Sequence, residues 1–340
     1  MSKFQPGEAR AWAMSELRGV AGCLMPTMTG DLSDLNEAAI RHDAALEREL
    51  GFSGALLVSE CGTTPQEYRR FIDIVVDEAG DDLVTVLQAS EPTLADTIAL
   101  VQDAEKAGVD LVLLSYPLTF YPESPEEVIA FTKAVADSTS MGLVVFALDM
   151  WNFGRLHPSG FAVEWMEQMV DTIPNIVAIK NEIGDPGVAG TAQVFQRFRD
   201  RVLVTDPMEM NAAAWTASFG MSWMGTSNYE YFGPEVPRMF SLLQDPARFD
   251  EAMELYWRMH PARQVAAGVG GKAVAGAGIV HRMQWKYQGW LNGFNGGPLR
   301  FPQMRLEDDQ MRALRGGLRA AGLPIAPGTD FDFFLGRNPA

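Results

Sequence analysis

A lysine at the end of an apolar run is the residue best placed to do chemistry. Lys180 closes the segment Asn175-Ile176-Val177-Ala178-Ile179-Lys180 and comes just before a Gly184-Asp185 turn. Apolar walls disfavour the charged form of an amine and leave more of it free to attack a carbonyl. The chemistry on offer is a Schiff base with a carbonyl compound. The competing reading is a strand-end lysine that reaches solvent along its stem or pairs with Glu182. A second group, Glu60-Cys61-Gly62-Thr63-Thr64, follows another apolar run. A glycine and two hydroxyl residues at a strand-to-helix turn present N–H and O–H donors that suit a carboxylate. Against this stands an ordinary helix cap made by Thr63 or Thr64. Glu60, directly before the turn, is a candidate general base, or it faces a helix and pairs with an arginine such as Arg69. The four histidines are scattered with no HxH or HxxxH spacing, so neither a metal centre nor a cofactor is expected.

The elements that must hold these residues alternate. Short apolar runs at 19–25, 54–59, 83–88, 109–114, 143–148, 177–180, 201–205 and 221–225 read as strands. Amphipathic stretches lie between them, as at 35–50, 93–107, 125–138 and 161–172, the third opening on the capping pattern Ser124-Pro125-Glu126-Glu127. Eight such units predict a (β/α)8 TIM barrel, an α/β fold whose active site lies at the C-terminal ends of the strands, where Lys180 falls. No GxGxxG follows the first strand, which argues against an open dinucleotide-binding sheet. Past 233 only helical patterns remain, at 234–243, 246–260, 266–280 and 306–321. The expected organisation is a barrel with an N-terminal extension over 1–232 and a C-terminal helical domain and tail over 233–340, the tail docked by Phe331, Phe333 and Phe334.

Three motifs in this order resemble the dihydrodipicolinate synthase and N-acetylneuraminate lyase family of Schiff-base lyases. Gly62-Thr63-Thr64 is similar to its carboxylate-binding Gly-Thr-Thr, and Ile179-Lys180 with Gly184-Asp185 to its lysine strand. Gly296-Gly297-Pro298-Leu299-Arg300-Phe301-Pro302 is similar to its Gly-Gly-Pro-x-Arg-x-Pro segment. The resemblance implies a barrel with a three-helix C-terminal domain, assembled as a homotetramer or homodimer, and a pyruvate-like moiety bound as an imine on Lys180. It also implies a departure. The family carries a proton-shuttling tyrosine on the fifth strand, and Phe146 stands at that position; Thr119 stands where a tyrosine lent to a neighbouring subunit would be. Other groups must then handle protons, with Glu60, Asp149, His157, Tyr116 and Tyr121 as candidates. Arg155 resembles the family's arginine after strand five.

Aromatic residues cluster where the walls of the site would be: Trp151 and Phe153 after strand five, Trp223 in strand eight, then Tyr229, Tyr231 and Phe232. Hydratase-aldolases of the family are similar in carrying a tryptophan near the last strand, so Trp223 and Phe146 are expected against the substrate. The alternative is that these rings pack the C-terminal helices. The expected function is a pyruvate-dependent aldolase or hydratase-aldolase acting on a 2-oxo acid with a bulky, aromatic aldehyde half. A 2-oxo sugar-acid dehydratase or deaminase using the same imine, and a ligand-binding member without catalysis, are the alternatives. The net charge of −17 excludes a nucleic-acid partner. Two cysteines, no signal-like N-terminus and no run long enough for a membrane helix predict a cytoplasmic protein.

Overall fold

The apolar runs fold as strands and helices separate them, in a computed structural model that describes residues 3–182, 187–277, 280–303 and 305–340. In chain order these are α1 (Ala9–Glu16), β1 (Gly19–Leu24), α2 (Glu37–Glu49), β2 (Gly54–Leu57), α3 (Pro65–Ala79), β3 (Val84–Ala89), α4 (Leu94–Ala107), β4 (Leu111–Leu114), α5 (Pro125–Ala136) and β5 (Gly142–Leu148). There follow α6 (Val163–Thr172), β6 (Ile176–Glu182), α7 (Val188–Phe198), β7 (Leu203–Thr205), α8 (Ala212–Phe219) and β8 (Trp223–Gly225). After β8 come helices only: α9 (Glu235–Leu243), α10 (Phe249–Ala277), α11 (Arg282–Trp290), α12 (Asp308–Ala320) and α13 (Asp330–Leu335). No helix among the described residues is long and apolar enough to cross a membrane.

The strand order is β7-β6-β5-β4-β3-β2-β1-β8. Its two ends are themselves joined, since the Gly225 N–H donates to Thr205 Oγ1 at 3.2 Å. This is the (β/α)8 barrel expected from the alternation. Strands such as β4, Leu-Val-Leu-Leu, are buried along their whole length, as parallel strands covered on both faces must be.

The chain divides into two compact units, the first made of Met1–Ala21 and Val84–Thr226 and the second of Gly22–Leu83 and Ser227–Ala340. In the first, Phe146 of β5 lies in register with Lys180 of β6, and Lys180 with Thr205 of β7. The turn that launches β6 is tied down by Arg10 of α1, which donates to the Ile173 carbonyl at 2.7 Å and the Ile176 carbonyl at 2.8 Å. Helix α5 begins at Pro125 as expected, but Ser124 makes no side-chain cap bond; Glu127 instead accepts from the Glu123 N–H at 2.9 Å.

In the second unit, α10 continues through Pro261, so residues 249–260 and 266–277 of the two expected helical patterns form a single helix rather than two. The tail docks through Phe333 alone of its three phenylalanines. Phe333 is 0% exposed and meets the Tyr287 ring edge-on at 5.1 Å, whereas Phe331 is 71% exposed.

Candidate active site

Strand β6 aims its side chains by simple alternation. Asn181 turns outward and donates to Thr191 Oγ1 of α7 at 2.9 Å, which sends Lys180 and Glu182 to the opposite face. Val177, Ala178 and Ile179 are wholly buried beneath them, and Lys180 itself is 4% exposed. The Lys180 Nζ lies 3.0 Å from Glu182 Oε1, 3.5 Å from Thr226 Oγ1 and 4.2 Å from the centre of the Phe146 ring. The cation is therefore held between one carboxylate, one hydroxyl and one aromatic face.

Beyond this knot, the first unit builds an aromatic wall. Trp151 donates its indole N–H to the Phe146 carbonyl at 2.8 Å and meets the Phe146 ring edge-on at 5.5 Å. Tyr116 packs among Phe120, Phe131, Phe153 and Phe161. Its hydroxyl shares a hydrogen bond with Thr132 Oγ1 at 2.6 Å, and burial pushes the phenol upward, so it is held as a neutral structural group. Arg155 donates to the Pro122 carbonyl and lies 3.7 Å over the ring of the exposed Tyr121. His157 Nδ1 is hydrogen-bonded to Ser159 Oγ at 2.7 Å. Trp223 is buried beneath Gly225, where any added Cβ would fall 2.8 Å from the indole, and its N–H has no hydrogen-bond partner among the described residues.

The second unit holds the other expected residues. Gly62 has φ +75°, and a Cβ there would lie 2.7 Å from the Arg300 carbonyl oxygen, so the turn takes glycine on both grounds. Thr64 caps α3: its Oγ1 accepts from the Glu67 N–H at 3.2 Å while its own N–H donates to Glu67 Oε2 at 2.8 Å. Arg300 reaches the same Glu67 carboxylate at 2.7 Å. Thr63, half-buried, is the hydroxyl this cap does not use. Glu60 is 49% exposed at its side chain and is paired at 2.6 Å with the buried Arg282, not with Arg69.

Deeper in that unit is a knot of buried carboxyls. Glu47 and Glu230 both occupy the space where a Cβ on Gly22 would stand, and Glu230 accepts from the Cys23 N–H. Burial pushes Glu230 up to about 8 and Asp43 up to about 6, and it lifts Glu47 well above the carboxylate range, helped by the charges of Glu230 and Asp43. Burial also lowers Lys286, which donates to the Pro26 carbonyl and Thr27 Oγ1, to about 8.

Of the expected residues, the structure thus brings Lys180 and Phe146 together, and it joins Gly62 and Thr64 to Arg300. Gly184-Asp185 lies outside the described residues. Glu182, Thr226 and Arg282 are the polar groups that sequence reasoning did not assign to a site. Glu182 had a legible signal, since two residues past an inward lysine is the next inward position of a strand.

Comparison with known proteins shows the family of the chain. The 4-hydroxy-tetrahydrodipicolinate synthase of Methanopyrus kandleri is 26% identical over 189 residues, which are 54% of this chain and 58% of that protein. A second, from Desulforudis audaxviator, is 33% identical over 147 residues, 41% of this chain and 48% of that protein. The chain therefore spans about half the length of the curated relatives it matches. Among solved structures, N-acetylneuraminate lyase from Fusobacterium nucleatum superposes with a TM-score of 0.73 at 16% identity, covering 89% of this chain and 98% of that one. This is a likeness of fold. The model of the dihydrodipicolinate synthetase family matches residues 39–261, more than half of the chain, and the chain belongs to that family.

Proposed function

We propose that the chain is a lyase that forms a Schiff base between Lys180 and a 2-oxo acid, working as a pyruvate-dependent aldolase or hydratase-aldolase. The observation that carries this reading is the Lys180 amine, buried at the C-terminal end of β6 with an aromatic face on one side and a carboxylate 3.0 Å away on the other. An amine so placed attacks C2 of the oxo acid, and loss of water leaves an iminium. That iminium accepts an electron pair when the bond beyond C3 breaks, or yields an enamine that makes the bond in reverse. The turn at Gly62, Thr63 and Thr64 offers donors that suit a carboxylate, with Thr63 the hydroxyl that the helix cap leaves unused. The names of the relatives, a synthase and a lyase, agree with a reaction of this class.

A bulky aldehyde half with an aromatic ring is supported by the wall beside the lysine. Phe146 and Trp151 present ring faces and edges, Arg155 stacks on Tyr121 at the surface, and Trp223 carries a buried indole N–H with no acceptor among the described residues. A sugar-acid dehydratase or deaminase remains the second reading, because a carboxyl beside the imine also serves elimination. Products separate the two, since cleavage releases pyruvate and an aldehyde whereas elimination keeps the carbon skeleton. The covalent step is tested by borohydride reduction with pyruvate. Mass spectrometry is expected to find a reduced pyruvate adduct on Lys180 that Lys180→Ala lacks, and a wild-type protein left unmodified overturns the reading.

A further inference from the structure

Imine chemistry moves protons at the lysine nitrogen, at the departing water and at C3 of the oxo acid. The partners that the described residues give to Lys180 Nζ are Glu182, the Thr226 hydroxyl and the Phe146 ring. Of these, a phenylalanine ring carries no proton to give, and an aliphatic hydroxyl gives one up with difficulty. Glu182 is the carboxylate in contact, it faces the same side of β6 as the lysine, and it is largely buried. The other carboxylate near it, Asp206, is occupied by the Met208 N–H at 2.8 Å, Asn211 Nδ2 at 2.9 Å and the Trp215 indole at 2.6 Å. Tyr116, the buried phenol of this unit, is turned away onto Thr132.

From this geometry we infer that Glu182 is the proton carrier of the reaction, a catalytic residue working on the imine that Lys180 forms. The inference rests on the Schiff-base reading above and deepens it. In the first step the Glu182 carboxylate takes one proton from the lysine ammonium, and the freed electron pair on nitrogen makes the bond to C2. A proton then passes from that nitrogen to the C2 oxygen, giving a neutral carbinolamine. Glu182, now a carboxylic acid, returns its proton to the C2 hydroxyl; the C–O bond breaks and water leaves with its electron pair. The product is the iminium, with one hydrogen left on nitrogen, and Glu182 is again a carboxylate. In the second step Glu182 accepts a C3 proton, and the C–H electrons form the C2=C3 bond of the enamine. The enamine is neutral at nitrogen, so proton and charge balance without any other reactant.

The test uses the full chain with pyruvate as the probe and reads two quantities. Borohydride trapping reports the imine, and exchange of the pyruvate methyl protons with deuterated water, followed by proton magnetic resonance, reports C3 proton transfer. The wild type is expected to do both. Glu182→Gln is expected to form the adduct more slowly and, once the adduct has accumulated, to lose C3 exchange per trapped lysine by about 100-fold or more. Glu182→Asp, which retains the carboxylate on a shorter stem, is expected to recover part of that loss and serves as the reporter if the glutamine variant does not fold. Exchange at the wild-type rate in Glu182→Gln, or in Glu182→Asp where that is the reporter, with the adduct still formed, overturns the role of Glu182 and leaves the Schiff base standing. A wild type that neither traps nor exchanges removes the Schiff base and this inference together. A residue that served only to orient the lysine would slow adduct formation and leave C3 exchange per trapped lysine unchanged, and that result also counts against the inference.

Discussion

The carboxyl knot of the second unit should leave its mark on how stability depends on pH. Glu230 is pushed by burial from 4.5 to about 8, so between those values the folded protein keeps a proton that the unfolded chain has released. A raised folded pKa contributes stability that is fully present below the unfolded value and lost as pH rises toward the folded one. Each such group changes the unfolding free energy by about 1.4 kcal/mol per pH unit inside its window, so Glu230 alone removes about 2–3 kcal/mol between pH 5 and pH 7. Glu47 adds to the fall with the same sign. Lys286 does not offset it: its depressed value of about 8 against 10.5 unfolded makes stability rise only above pH 8, outside this window. The perturbation that isolates the effect is Glu230→Gln, whose amide oxygen still accepts from the Cys23 N–H but cannot titrate. Urea unfolding at pH 5, 6 and 7 is expected to show a wild type that weakens as pH rises and a variant whose slope is shallower by about 1.4 kcal/mol per unit. Parallel slopes in the two proteins would refute the buried-proton argument.

Gly62→Ala forces a left-handed backbone on an alanine and sets its Cβ 2.7 Å from the Arg300 carbonyl oxygen, so it is expected to cost about 2–3 kcal/mol in urea unfolding. An unchanged midpoint would mean the turn is not packed as described. Phe333→Ala is expected to cost about 3–5 kcal/mol because its ring is fully buried, while Phe331→Ala on the same short helix stays within about 0.5 kcal/mol. Equal losses in the two variants would contradict the docking of the tail through Phe333.

Period and composition made the barrel readable, because each parallel strand is an apolar run long enough to be told from the helix after it. Lys180 was legible for the same reason, as the first polar residue after a fully buried run. The strand does not stop there, however. It continues through Asn181 and Glu182, one facing α7 and the other the lysine, so the apolar run ends at Ile179 while the hydrogen-bonded ladder reaches Glu182. A strand entering the site becomes polar, so hydrophobicity loses sight of the residues that matter most there. The three tail phenylalanines were alike to composition, and only the turn of a short helix decides that Phe333 points inward. At Pro261 the reverse holds: the residue that breaks a pattern locally sits inside one long helix, whose packing on α9 and α12 outweighs one missing N–H.

The motifs that identified the family divide by what they do. Gly62 leaves room for the Arg300 backbone, Arg300 binds Glu67, and Glu67 closes the capping box of Thr64; Gly296 in turn gives way to Phe333 and Trp290, either of which would lie 3.0 Å from an added Cβ. The Gly-Thr-Thr turn and the Gly-Gly-Pro-x-Arg-x-Pro segment are thus two halves of one packed arrangement within the second unit. Each needs the other for its shape, so finding both in a sequence is strong evidence of the fold and weaker evidence of the reaction. The chemistry depends instead on what surrounds the lysine in the first unit. There the ring of Phe146 stands where the family resemblance implied a phenol, and a carboxylate lies 3.0 Å from the amine on the neighbouring inward position of the same strand. An imine former that exchanges one proton carrier for another can keep the fold-bearing motifs and differ beside the lysine.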